Sequence, residues 1–175
     1  LEDHTVLVSR VNSKIKYDTK FLFVSAMNPC PCGNLLSKTK ECRCSDLEIQ
    51  RYKARLSDPF LDRIDLYIVM NEVTKDDISD IDSKSMHKIV RSVFQKQKNR
   101  GQKNLNGKLS DLEIEKYCKI NNNIRDILNL AIDKFSLSFR VINKVLKVAR
   151  TIADIEDSQE IEKSHLLEAL SYRRR

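Results

Sequence analysis

The sequence predicts an α/β portion followed by an all-α portion, and three observations carry that division. Two short apolar runs, Phe21-Leu22-Phe23-Val24-Ser25-Ala26 and Leu66-Tyr67-Ile68-Val69-Met70, read as buried strands. The first stops abruptly at Met27-Asn28-Pro29, a strand-ending signal. From about Ser83 onward the apolar residues recur with helical period instead. An acidic, irregular stretch, Glu72 to Asp82 with Asp76, Asp77 and Asp80, lies between the two regimes. The expected domains are therefore residues 1–80 and 81–175.

Composition sets the class. The chain has 175 residues, 41% hydrophobic and 33% charged, which suits a soluble folded protein rather than a disordered one. No apolar run approaches the ~20 residues that span a bilayer, so no membrane partner is expected. Three glycines exclude a glycine-rich phosphate cradle within the segment. A net charge of +7 favours an anionic partner. Four of the five cysteines fall within fifteen residues, a pattern native to a reducing, cytoplasmic compartment.

In order, Thr5 to Val11 alternate, Asn12-Ser13 turns, and Lys14 to Tyr17 alternate again, a β-hairpin signature. Arg10, Lys14, Lys16 and Lys20 make it basic, either as solubilising charge or as contacts to phosphate. Asn28 follows the first apolar run, where α/β sheets hold ligands, and is the first candidate for chemistry. Cys30-x-Cys32 and Cys42-x-Cys44 then offer four thiols at paired spacing, enough for a tetrahedral sulfur site of the kind zinc prefers. The alternatives are four free thiols or an oxidised pair. Such a site has no open position, so it suits structure rather than catalysis. Ser45-Asp46-Leu47-Glu48 is a capping box that opens a helix to about Leu56, and Asp58-Pro59 starts a short one. Arg63 follows, between Asp62 and Asp65, either paired locally or free to reach a phosphate. Arg51 and Arg55 are secondary candidates one helix earlier.

The helical portion begins at Ser83 or Ser85, with Met86, Ile89, Val90, Val93 and Phe94 as its apolar positions. From Lys84 to Lys103 there are seven Lys or Arg and no acid, a solvated face or a place for phosphate contacts. Ser110-Asp111-Leu112-Glu113 is a second capping box, opening a helix to about Cys118, which reads as core. Ile124, Ile127, Leu128, Ala131 and Phe135 mark the next helix. Ser138 caps another, with a stripe of Ile142, Val145, Leu146, Ala149, Ile152 and Ala153. Arg140 lies in its first turn, where a cation opposes the helix dipole. His165, near the start of the last helix, reads as structural.

The runs AMNPCPCG, CRCS and RYKARLSDPFLDRIDL resemble the magnesium-chelatase-like AAA+ ATPases of the competence protein ComM type, and LSFRVINKVLKVARTIADI with HLLEALSYRRR resembles their helical lid. The resemblance implies the C-terminal part of a P-loop ATPase core (hairpin, sensor strand, final core strand) followed by a lid bundle. It implies Asn28 as sensor 1, Arg63 as an arginine finger acting on a neighbouring subunit, and Arg140, in the pattern L-S-x-R, as sensor 2. Asn28 and Arg140 would then face ATP. Phe60 stands where the finger motif has Leu, which leaves Arg63 in register. It further implies ATP and Mg2+ in a full-length parent, a homo-oligomeric ring of hexamer type, and DNA branch migration in natural transformation. The chain carries neither a G-x-x-x-x-G-K-[ST] loop nor a strand ending in paired acids, so it is not expected to hydrolyse ATP alone. Two other readings stay open: an ATPase subunit of a metal chelatase acting on a protein partner, and a non-enzymatic, zinc-clipped nucleic-acid-binding module.

Overall fold

Alternating residues near the start of the chain pair as an antiparallel hairpin, β1 (Thr5–Arg10) with β2 (Ser13–Asp18). The structure, a computed structural model, describes residues 5–11, 13–19 and 21–173. Arg10 pairs with Ser13, so Ser13 belongs to β2 rather than to the expected Asn12-Ser13 turn. Asn12 lies outside the described residues. Opposed residues share a face. Val6 opposite Tyr17 and Val8 opposite Ile15 make one face apolar, and Leu7 opposite Lys16 and Ser9 opposite Lys14 make the other mainly polar.

The two apolar runs do not form the buried strands expected of them. Residues 21–27 and 66–70 are without secondary structure and mostly exposed, Val24 at 81% and Met70 at 80%. A strand becomes buried only when neighbours take up its N–H and C=O groups, and among the described residues neither run has a ladder partner. The N–H of Tyr67 goes instead to the carbonyl of Tyr172, at 2.8 Å. The described fold is a two-stranded hairpin and helices, without the larger sheet.

Local signals fared better. Helix α1 (Asp46–Lys53) carries the expected capping box, with the Ser45 N–H donating to the Glu48 carboxylate at 2.8 Å. That hydrogen bond and the one from the Ser45 hydroxyl hold the Glu48 pKa below its ordinary value. Helix α2 (Asp58–Leu61) has Pro59 in its first turn, where its missing N–H costs nothing. The chain divides into two compact units, Leu1–Arg63 and Ile64–Arg175. The acidic stretch before residue 83 is irregular and lies inside the second.

Five helices build that second unit: α3 (Ser83–Asn99), α4 (Asp111–Tyr117), α5 (Asn122–Phe135), α6 (Phe139–Ile155) and α7 (Lys163–Ser171), with a 3-10 turn at Asn106–Lys108. Asp82, rather than Ser83 or Ser85, caps α3, its carboxylate accepting from the Ser85 N–H at 2.7 Å. The stripe read from α6 is core: Val145, Ala149 and Ile152 are buried against Ile114, Cys118, Leu128, Ile161 and Leu166, and Ala153 is buried as well. Burial pushes the Cys118 thiol up to about 11. His165 is structural as expected, its Nδ1 accepting from the Glu162 N–H and its Nε2 meeting Glu156, each at 2.9 Å.

Helix α3 departs from its pattern. Met86, Ile89, Val90 and Phe94 are exposed, and only Val93 and Gln97 are buried. It is fastened to α6 chiefly by polar groups around Asp154. That carboxylate, 1% exposed, accepts from Arg100, from Arg150 Nε at 3.1 Å and from Asn106 Nδ2 at 2.8 Å. Lys96 Nζ adds a bond to the Asp154 carbonyl at 2.9 Å.

Candidate functional site

The densest set of chemistry-bearing side chains lies in the first unit, around the four cysteines. Pro31 presets a turn in Cys30-Pro31-Cys32-Gly33, and the Gly33 N–H closes it on the Cys30 carbonyl at 3.0 Å. Gly33 takes φ +81, a region that penalises any side chain. The turn brings Cys30 and Cys32 Sγ within 3.4 Å, and Cys42 Sγ stands 3.7 and 3.6 Å from them. All four sulfurs, Cys44 included, lie within 4.8 Å of one another.

These distances fit a metal. Zinc–sulfur bonds of ~2.3 Å in a tetrahedron put sulfurs ~3.8 Å apart, whereas a disulfide needs ~2.05 Å. All four cysteines are free thiols here. The backbone N–H groups of Asn34 and then Arg43 lower the Cys32 thiol to about 6. At Cys44 the Cys32 N–H acts downward, but desolvation and the Cys32 and Cys30 sulfurs outweigh it, and the thiol is pushed up to about 12. One easily ionised thiol among reluctant neighbours describes sulfurs that crowd one point, where a bound dication would favour the thiolates. The four side chains could hold one metal ion. Gly33→Ala should weaken its retention about tenfold, because a Cβ in this backbone region costs ~1–2 kcal/mol. Competition against a chelator measures it, and unchanged retention would show that the turn tolerates the strain.

Asn28 stands at the edge of this cluster. It is exposed, and a Cβ built on Gly33 would lie 3.7 Å from its Nδ2. Arg63, half-buried just past α2, donates from Nη1 to the Pro59 carbonyl. Arg51 and Arg55 share an open hollow with Pro31, Glu48 and Tyr52, beside the cysteine turn. Arg140, exposed in the first turn of α6, belongs to the second unit. On the hairpin, Lys14 and Lys16 occupy the polar face and Arg10 the end of the apolar one, so the three do not form a single patch. Lys20 lies outside the described residues. Sequence reasoning passed over Gly33, whose signal was its place after Cys-Pro-Cys, and the backbone donors of Asn34 and Arg43, which no residue type announces.

The family described as magnesium chelatase, subunit ChlI C-terminal, matches residues 80–173, and that described as magnesium chelatase, subunit ChlI, matches residues 1–78. Competence protein ComM of Haemophilus influenzae is 38% identical over 178 residues, an alignment covering 99% of this chain and 34% of that protein. Uncharacterized protein YifB is 38% identical in Salmonella typhimurium and 36% in Escherichia coli, with 35% of each covered. The chain thus spans about a third of the length of these relatives.

Proposed function

Since the chain belongs to the magnesium chelatase ChlI family, we propose that it is the sensor and lid portion of an ATP-driven AAA+ ring motor that acts on DNA. The observation that carries this reading is the set of three polar residues: Asn28 beside the cysteine turn, Arg63 just past α2 and Arg140 in the first turn of α6. Asn28 orients the attacking water, Arg63 reaches the nucleotide of a neighbouring subunit, and Arg140 couples the lid to the γ-phosphate. ATP and Mg2+ are held by another portion of a longer protein, since this sequence has no phosphate loop. A finger acting on a neighbour requires a ring of copies, of hexamer type.

For DNA, the support is the hairpin. Lys14 and Lys16 project from its polar face, and the chain carries net charge +7. Branch migration is the matching task. Among the described residues no helix is long and apolar enough to cross a membrane.

The test is ATP turnover by the full-length parent with no DNA, with duplex and with four-way junction DNA. Stimulation by the branched substrate supports the motor. Turnover indifferent to every DNA overturns it in favour of a chelatase-like ATPase with a protein partner, and no turnover at all leaves a binding module. Lys14→Glu with Lys16→Glu should weaken DNA binding and flatten its salt dependence. With ~0.9 counterions released per contacted phosphate, the log–log slope should fall by about two. An unchanged slope would remove the hairpin from the DNA interface.

A further inference from the structure

We infer that the four-cysteine cluster is a zinc clip whose task is to place Asn28. The inference rests on the reading of Asn28 as the residue that orients water at the nucleotide.

On the N-terminal side of Asn28, residues 21–27 have no secondary structure and no ladder partner among the described residues. On its C-terminal side, Pro29, with its restricted φ, is the one residue between it and Cys30. Cys30 is fully buried, and its sulfur lies 3.4 Å from that of Cys32 and 3.7 Å from that of Cys42. A Cβ built on Gly33, two residues past Pro31, would lie 3.7 Å from Asn28 Nδ2, so the carboxamide faces the turn. The backbone of Asn28 is therefore restricted by the proline that follows it, and its carboxamide faces the metal-site turn.

The loop that joins the cysteine pairs, residues 33–41, has no helix or strand to order it. Its hydrogen bonds are small local ones, such as the Ser37 hydroxyl accepting from the N–H groups of Thr39 and Lys40. Four sulfurs within 4.8 Å of one another converge on one point, and a dication bound there closes the loop at once. Soft thiolates in a tetrahedral set select zinc over magnesium or calcium. Metal occupancy and Asn28 position then become one equilibrium. Loss of zinc frees the carboxamide without touching ATP binding.

The experiment has a spectroscopic arm and a kinetic arm. The full chain, purified under reducing conditions, is expected to carry one zinc per polypeptide, and cobalt exchanged for it should give the intense thiolate charge-transfer bands of a tetrahedral site. Absence of zinc together with an octahedral cobalt spectrum overturns the clip. In the 15N-labelled chain, zinc removal should shift the Asn28 side-chain amide resonances and leave those of Asn143, in α6, in place. Unmoved Asn28 resonances overturn the positioning role.

In the full-length parent, Cys42→Ser with Cys44→Ser should lower kcat and leave KM for ATP unchanged. Combining it with Asn28→Ala should lower kcat no further than Asn28→Ala alone. Chelated wild-type protein gives the same comparison if the double variant fails to fold. Normal turnover without metal, beside an impaired Asn28→Ala, overturns this inference alone. An unimpaired Asn28→Ala instead overturns the reading of Asn28, even where the amide resonances move.

Discussion

Arg63→Ala in the full-length parent is expected to leave ATP binding near wild type and to cut turnover ~10³-fold or more, the scale on which an arginine finger acts. The local structure sets where the guanidinium sits. Arg63 follows α2, a single turn started by Asp58-Pro59 and closed by the Asp62 N–H on the Asp58 carbonyl at 2.8 Å. Its Nη1 donates to the Pro59 carbonyl, the favourable place for a cation at a helix C-terminus. A γ-phosphate would offer the guanidinium a charge-assisted, bidentate acceptor, stronger than a carbonyl. Arg63→Lys discriminates between roles. A lysine can still neutralise the end of α2, but it lacks the planar fork. A local structural role predicts near-normal turnover for lysine. A finger predicts a loss approaching that of alanine. Turnover that survives both substitutions would end the assignment.

What could be read from the chain followed how local the causes were. Both Ser-x-x-Glu boxes, at Ser45 and Ser110, formed as written, because each needs only its own four residues. The third box escaped notice since it pairs Glu162 with His165, outside the usual residue types, although the reciprocal bonds are of the same kind. The cysteine cluster was legible from spacing, and its geometry agrees. The apolar runs at 21–26 and 66–70 were misjudged as buried strands because hydrophobicity states that a segment wants cover and says nothing of whether a ladder partner is present. Helix α3 shows the same limit: its period was right, yet Met86, Val90 and Phe94 stay exposed. What fastens α3 was invisible in sequence, since Arg100, Asn106 and Asp154 look like ordinary surface residues until three segments meet.

That meeting point makes Asp154→Ala the largest expected stability effect, a loss of ~3–5 kcal/mol for the second unit, the usual cost of removing one partner from a buried ion pair. Asp154 is 1% exposed and Arg150 2%. Arg150 also donates to the carbonyls of Ser158 at 2.6 Å and Gln159 at 2.8 Å, so its guanidinium is tied to the turn after α6 and cannot swing out to water. Without the carboxylate it is left as a buried charge facing Arg100, the second cation on the same acceptor. Asn106 loses its acceptor as well, leaving the Thr151 hydroxyl at 3.1 Å on its amide. Lys144→Ala is the control. The Lys144 side chain is 12% exposed but its partner Asp65 is 69% exposed, so this 2.9 Å pair opens to solvent on one side and is worth less than a fully buried one. Urea unfolding should show the Asp154→Ala midpoint falling sharply with its slope unchanged, and the Lys144→Ala midpoint falling less. Arg100→Ala should cost less than Arg150→Ala, because Arg100 lies nearer the surface with a side chain 28% exposed. If Asp154→Ala cost no more than Lys144→Ala, the polar cluster would not be what joins α3 to α6, and the exposed apolar stripe of α3 would have to supply that attachment in another arrangement.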